Sequence, residues 1–165
     1  MPAVKRNDIF LFALSIGICA LSYLLFNKNI ELSLFPHKTV MGLLFNYSFT
    51  FIEDVGYGQS SGLFIIAQNC LGAKLFISLF LIMVFGFLPK YAKLKPKIIA
   101  VIKFYFTALI LAFICTVIRI AASIPFCTWE KFHLIHNIIS LGIYFGAGLI
   151  LYFIMERRLK HHEKY

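Results

Sequence analysis

The chain has 165 residues, 61% of them hydrophobic and only 14% charged, with a formal net charge of +9. Soluble domains average about half apolar and a quarter charged residues, so a water-soluble globule is excluded and the surplus apolar surface must face lipid. At about 20 residues per crossing of a hydrocarbon layer roughly 30 Å thick, this length suffices for four crossings, and residues 1–165 read as a single integral membrane domain: an all-α, four-helix transmembrane bundle.

The first predicted span covers about 9–26 (IFLFALSIGICALSYLLF); it has no small-residue cleavage site and reads as a retained helix. Residues 27–68 follow as an interfacial segment on the outer side. Its apolar runs LSLF, VMGLLF, YSFTFI and LFII are divided by turn signals at Phe35-Pro36, Gly56-Tyr57-Gly58 and Ser60-Ser61-Gly62. The aromatics suit the headgroup zone, Glu53 and Asp54 mark a wet end, and both a half-helix and a short hairpin are open for it. The second span covers 69–88 and the third 98–124, each stopped by a proline, Pro89 and Pro125. The fourth covers 133–155.

Orientation follows from the cations. Lys5 and Arg6 precede span one, Lys90, Lys93, Lys95 and Lys97 fill the gap between spans two and three, and Arg157, Arg158, Lys160 and Lys164 follow span four. Those regions, with both ends of the chain, are expected in the cytoplasm, and the protein is expected to be a multi-pass cell-membrane protein. The charge is then a topology signal that also meets anionic lipid headgroups. A nucleic-acid role would need basic residues interleaved with base-stacking aromatics on a soluble face, and none is expected.

Ionisable residues in lipid are costly, at least about 2.5–3.5 kcal/mol for a central Arg, so their placement is informative. Arg119 follows Ile98 by 21 residues, Cys70 precedes Leu88 by 18 and His136 precedes Met155 by 19. At 1.5 Å per helical residue all three lie roughly 27–30 Å from the inner end of their spans. Three helices thus deliver a thiol, a guanidinium and an imidazole to one outer level. A thiolate is the reactive form of cysteine and a nearby His or cation favours it; an imidazole can take the thiol proton and return one to a leaving amine. Arg can hold an oxyanion or anchor a carboxylate.

Each residue also has a plainer reading: Cys70 as a small packing residue, Arg119 snorkelling to headgroups, and His133 and His136 as wet helix-entry residues. Cys19 and Cys115 read as packing residues. Cys127 lies in the outer turn, where a disulfide with Cys70 is an alternative. Lys74 lies one turn from Cys70, Lys103 snorkels inward, and Glu130 reads as a solvated helix-entry acid. No metal-ligand spacing, Walker loop or GxSxG occurs, so neither metal nor cofactor is expected.

These residues resemble the exosortase and archaeosortase family, multipass membrane cysteine transpeptidases. Asn69-Cys70-Leu71-Gly72 is similar to the family's Cys-Ser-Gly nucleophile motif, preceded by a Gly-Tyr element; Arg119-Ile120 in TVIRI is similar to its Asn-x-x-Arg-Ile motif; and His136 in HNIISLGIYF is similar to its last-helix His. The likeness spans roughly Gly56 to Phe153 and is nearest to compact members such as the exosortase K type. Leu71 replaces the usual Ser, Thr116 the usual Asn and Ser140 a common Gly. The resemblance implies a cysteine peptidase or transpeptidase that sorts proteins to the cell surface. It would cleave the C-terminal sorting signal of exported proteins (a short motif, a membrane helix and a basic cluster) through a thioester. Cys70 would be the nucleophile, His136 the general base and acid, with His133 as alternative, and Arg119 the oxyanion or substrate stabiliser, all on the outer face. Rival readings are a four-helix membrane thiol oxidoreductase, which would want a close dithiol, and a small transporter or assembly subunit, which would want polar residues near the midplane.

Overall fold

The computed structural model describes residues 6–60, 62–91 and 93–162; Lys5, Ser61 and Lys164, named above, lie outside them. The elements follow in the order α1 (Arg6–Lys28), α2 (Ile30–Phe45), β1 (Phe49–Ile52), β2 (Gly56–Gln59), β3 (Ile65–Ala67), α3 (Ala73–Phe87), α4 (Leu94–Ser123) and α5 (Phe132–His162). Four helical stretches, Asn7–Lys28, Gln68–Lys90, Leu94–Phe126 and Phe132–Arg157, are long and apolar enough to cross a membrane. These match the four expected spans. Their outward faces leave Phe10, Leu141 and Phe145 exposed, as helices covered by lipid require.

The central helix is α3. It buries Phe76, Leu79, Phe80, Met83, Val84 and Phe87 against α4, where Ala100, Ala108 and Ala112 let the two backbones approach closely. The Phe76 and Phe80 rings lie parallel, 6.1 Å apart, and both meet the edge of Tyr105. At one end of the bundle Lys97, in the first turns of α4, pairs with Asp8 in the first turn of α1, and both side chains are buried. The interfacial segment, the Cys70 turn and the α4–α5 connection lie at the other end.

The segment 27–68 is richer than an all-α reading allows, because a helix and a sheet follow each other in it. The helix α2 continues through Pro36, a position with the composition of a turn; a ring there removes one hydrogen bond, and burial of Leu34 and Met41 on either side of it offsets that loss. The strands form an antiparallel meander in the order β1-β2-β3. Gly56-Tyr57-Gly58, also read as a turn, is the central strand. The reversal before it falls at Glu53-Asp54-Val55, with Asp54 in the left-handed region at φ 60°. Gly56 is required for close packing: a Cβ there would lie 2.2 Å from the Ile66 carbonyl oxygen.

A second core fastens this cap to the bundle. Leu34 and Met41 of α2, Tyr57 and Ile66 of the sheet, and Ile120 of α4 are all buried together. Ile120 is the neighbour of Arg119, so the cap is seated where the candidate chemistry lies.

Candidate functional site

Cys70 is not in the helix expected to carry it. Residues Gln68–Leu71 form one tight 3₁₀ turn, and Gly72, at φ 72°, links that turn to α3. The left-handed link needs glycine, and a Cβ at Gly72 would come within 2.5 Å of the Thr116 methyl. The turn is therefore pressed against α4, and Cys70 is held half-buried above the bundle rather than in its wall.

The structure brings Cys70, His133 and His136 to the walls of one cavity of about 350 Å³, together with Ser123 and Cys127. All four cysteines are free thiols. Among the described residues no hydrogen bond joins the Cys70 thiol to an imidazole.

His136 is oriented from behind. Ser123 Oγ donates to the Arg119 carbonyl at 2.8 Å and lies 2.9 Å from His136 Nδ1. A hydroxyl has one hydrogen; in the tautomer that leaves it on the carbonyl, Nδ1–H donates to Ser123. Nε2 then keeps its lone pair for an incoming proton, the arrangement a general base needs. The Phe132 ring, 5.6 Å away centre to centre, packs beside the imidazole.

Arg119 is placed differently from the expectation. It is buried, and its fork reaches the turn itself: Nη2 donates to the Asn69 carbonyl at 3.0 Å, and Nη1 to the Tyr144 hydroxyl of α5 at 2.5 Å. The guanidinium lines a neighbouring cavity of about 380 Å³ with Lys74, Gln68 and Tyr144, not the cavity of Cys70 and His136. Its contact with the proposed nucleophile is made through the peptide bond before Cys70. Lys74 is exposed and Glu130 lies in the exposed turn before α5. Among the described residues no cluster of His, Cys, Asp and Glu could hold a metal ion.

Three residues escaped the sequence reading. Ser123 and Tyr144 had a signal, since Ser123 is one helical turn after Arg119 and Tyr144 two turns after His136. His37 had none, because its partner comes from another element. It is buried in α2 with Nε2 2.9 Å from Thr116 Oγ1, and its ring meets the Phe113 ring edge-on at 4.8 Å. Thr116 thus touches Gly72 with its methyl and His37 with its hydroxyl. Nδ1 faces the Ser33 carbonyl one turn back without a well-aligned hydrogen bond.

Burial lowers the His37 pKa from 6.5 to about 4; the Ser33 carbonyl opposes this and the Arg119 charge adds to it. The folded state therefore resists protonation while the unfolded chain accepts it near pH 6.5. Stability is unaffected above that pH and falls as pH drops from 6.5 towards 4. The full loss is about 3 kcal/mol. Thermal unfolding in detergent from pH 7 to 4 is expected to show it, and His37→Gln is expected to remove that share of the slope. An equal slope in the variant would assign the acid loss to other groups.

No family model, curated protein or solved structure matches the chain. The functional reading rests on the geometry and on the resemblance of its three short motifs.

Proposed function

We propose that the protein is an exosortase-like membrane cysteine peptidase or transpeptidase that cleaves the C-terminal sorting signal of exported proteins. One observation carries this reading: Cys70 and His136 line the same cavity, with Ser123 Oγ 2.9 Å from His136 Nδ1 to orient the ring. The cation-rich segments at the Lys97 end support an orientation with the cavity on the outer side of the membrane. A substrate tail docks its own helix beside the bundle, and its basic cluster stays with the cytoplasmic headgroups.

His136 Nε2 takes the thiol proton, and the Cys70 sulfur forms a bond to the peptide carbonyl carbon. The C–N bond then breaks as the same proton passes to the departing amine. A thioester is left, and an acceptor amine or water attacks it and frees the thiol. Arg119 works from behind the turn: it holds the Asn69 carbonyl and so aims Cys70, and its fixed charge lowers the cost of the thiolate and of the oxyanion that follows.

Co-expression with a reporter carrying a signature motif, a membrane helix and a basic tail tests the proposal. The wild type is expected to shorten the reporter and Cys70→Ala to leave it whole; continued processing by Cys70→Ala overturns the reading. The second reading, a thiol oxidoreductase, draws on Cys127 sharing the cavity with Cys70. Cys127→Ser is expected to keep processing within about twofold of wild type, in the range of a surface substitution. Abolished processing in that variant would favour the redox reading.

A further inference from the structure

We propose that the free edge of β3 captures an extended peptide by main-chain pairing and lays it across Cys70. The inference rests on the cysteine-peptidase reading and adds to it the conformation in which a substrate is held.

β3 ends the sheet order β1-β2-β3, so one of its sides has no strand beside it. The register says which groups that side offers. The Gln59 N–H donates to the Phe64 carbonyl at 3.1 Å, just beyond the paired residues Gly58↔Ile65, Tyr57↔Ile66 and Gly56↔Ala67. Antiparallel pairs alternate between hydrogen-bonded and non-hydrogen-bonded. Tyr57↔Ile66 is therefore bonded, whereas Ile65 and Ala67 turn their main-chain groups away from β2. The Ala67 carbonyl opens the 3₁₀ turn that carries Cys70. The N–H and carbonyl of Ile65 and the N–H of Ala67 make no other main-chain hydrogen bond among the described residues. These three groups are what a fourth strand would use.

The surroundings fit such a strand. Ile65 is 47% exposed and lines the Cys70 cavity with Phe64, Ile124 and Phe132, which can receive alternate side chains of the guest. Exposed edges are commonly blunted by Lys, Pro or a bulge; residues 63–67 read Leu-Phe-Ile-Ile-Ala and carry none of these residues. A guest paired with Ile65 and Ala67 continues past the turn holding Cys70, three residues further along the chain. Main-chain pairing supplies affinity that tolerates many side chains, and the cavity supplies selection.

The test measures thiol labelling in the purified full-length protein in detergent. The probe is a blocked Val-Thr-Val-Ala chloromethyl ketone, and the control is chloroacetone, the same electrophile without a peptide. Alkylation of Cys70 is followed by mass spectrometry. The peptide reagent is expected to label Cys70 at least about tenfold faster than chloroacetone, on the scale of one or two hydrogen bonds. Ala67→Pro suits the backbone, since φ there is −84°, and it deletes an edge N–H without touching the ladder to β2. It is expected to lower the ratio of peptide to chloroacetone labelling about fivefold to tenfold.

A second arm uses only the wild type, so it survives a variant that fails to fold. N-methylation of the probe is expected to slow labelling at every second amide and not between, the signature of a strand. A peptide reagent no faster than chloroacetone, or equal sensitivity at every amide, overturns the inference. Reporter processing that persists in Cys70→Ala would instead overturn the peptidase reading, whatever the labelling shows.

Discussion

Arg119→Lys is expected to slow reporter processing by about 100- to 1,000-fold, the loss typical when a fixed electrostatic partner of a reaction is removed. The substitution keeps the charge, so the loss reads geometry. The guanidinium holds the Asn69 carbonyl with one nitrogen and the Tyr144 hydroxyl with another; a single ammonium on a flexible stem cannot span both. Without that brace the 3₁₀ turn loses its tie to α4 and α5, and Cys70 loses its aim. Tyr144→Phe removes one arm of the brace and is expected to cost about tenfold, in proportion to one charge-assisted hydrogen bond. Alkylation of Cys70 against pH separates positioning from general instability: Arg119→Lys is expected to weaken the dependence on His136, and a folding defect alone would not do so. Processing within twofold of wild type would remove Arg119 from the machinery.

Lys97→Leu is expected to destabilise the protein by about 3–5 kcal/mol, the range for removing one member of a buried ion pair. Lys97 and Asp8 are both buried and join the first turns of α1 and α4. The variant takes the ammonium away from Asp8 and leaves a buried carboxyl without that cation. For a chain of this size the melting temperature in detergent is expected to fall by about 10 °C. The double variant Asp8→Leu with Lys97→Leu is expected to recover most of that loss, since an apolar pair of similar volume often replaces a buried ion pair at little cost. Equal losses in the single and double variants would mean that the pair contributes through packing alone.

The membrane-spanning part is legible in the residues alone, because each span is a property of one continuous stretch. Four apolar runs and the prolines Pro89 and Pro125 locate the crossings to within a few residues of Asn7–Lys28, Gln68–Lys90, Leu94–Phe126 and Phe132–Arg157. The rise per residue is equally local, and it puts Arg119 and His136 at one level, whereas Cys70 sits in the 3₁₀ turn before α3, outside the helix along which its depth is counted. The segment 27–68 is not legible in the same way. Pro36 and Gly56-Tyr57-Gly58 have the composition of turns, but α2 and β2 form there because Leu34, Met41, Tyr57 and Ile66 find a shared core on Ile120. Local propensity is weak against burial of that kind.

The sequence by itself determined which four stretches are long and apolar enough to cross a membrane and that Arg119 and His136 lie at similar depths along theirs. Depth along a helix is additive in residue number, so counting suffices. Only the tertiary structure decided which polar side chains share a wall: Cys70 with His136 in one cavity, and Arg119 behind them on the Asn69 carbonyl. That choice depends on the rotation of each helix about its axis and on the Gly72 link. Both are set by packing between elements far apart in the chain.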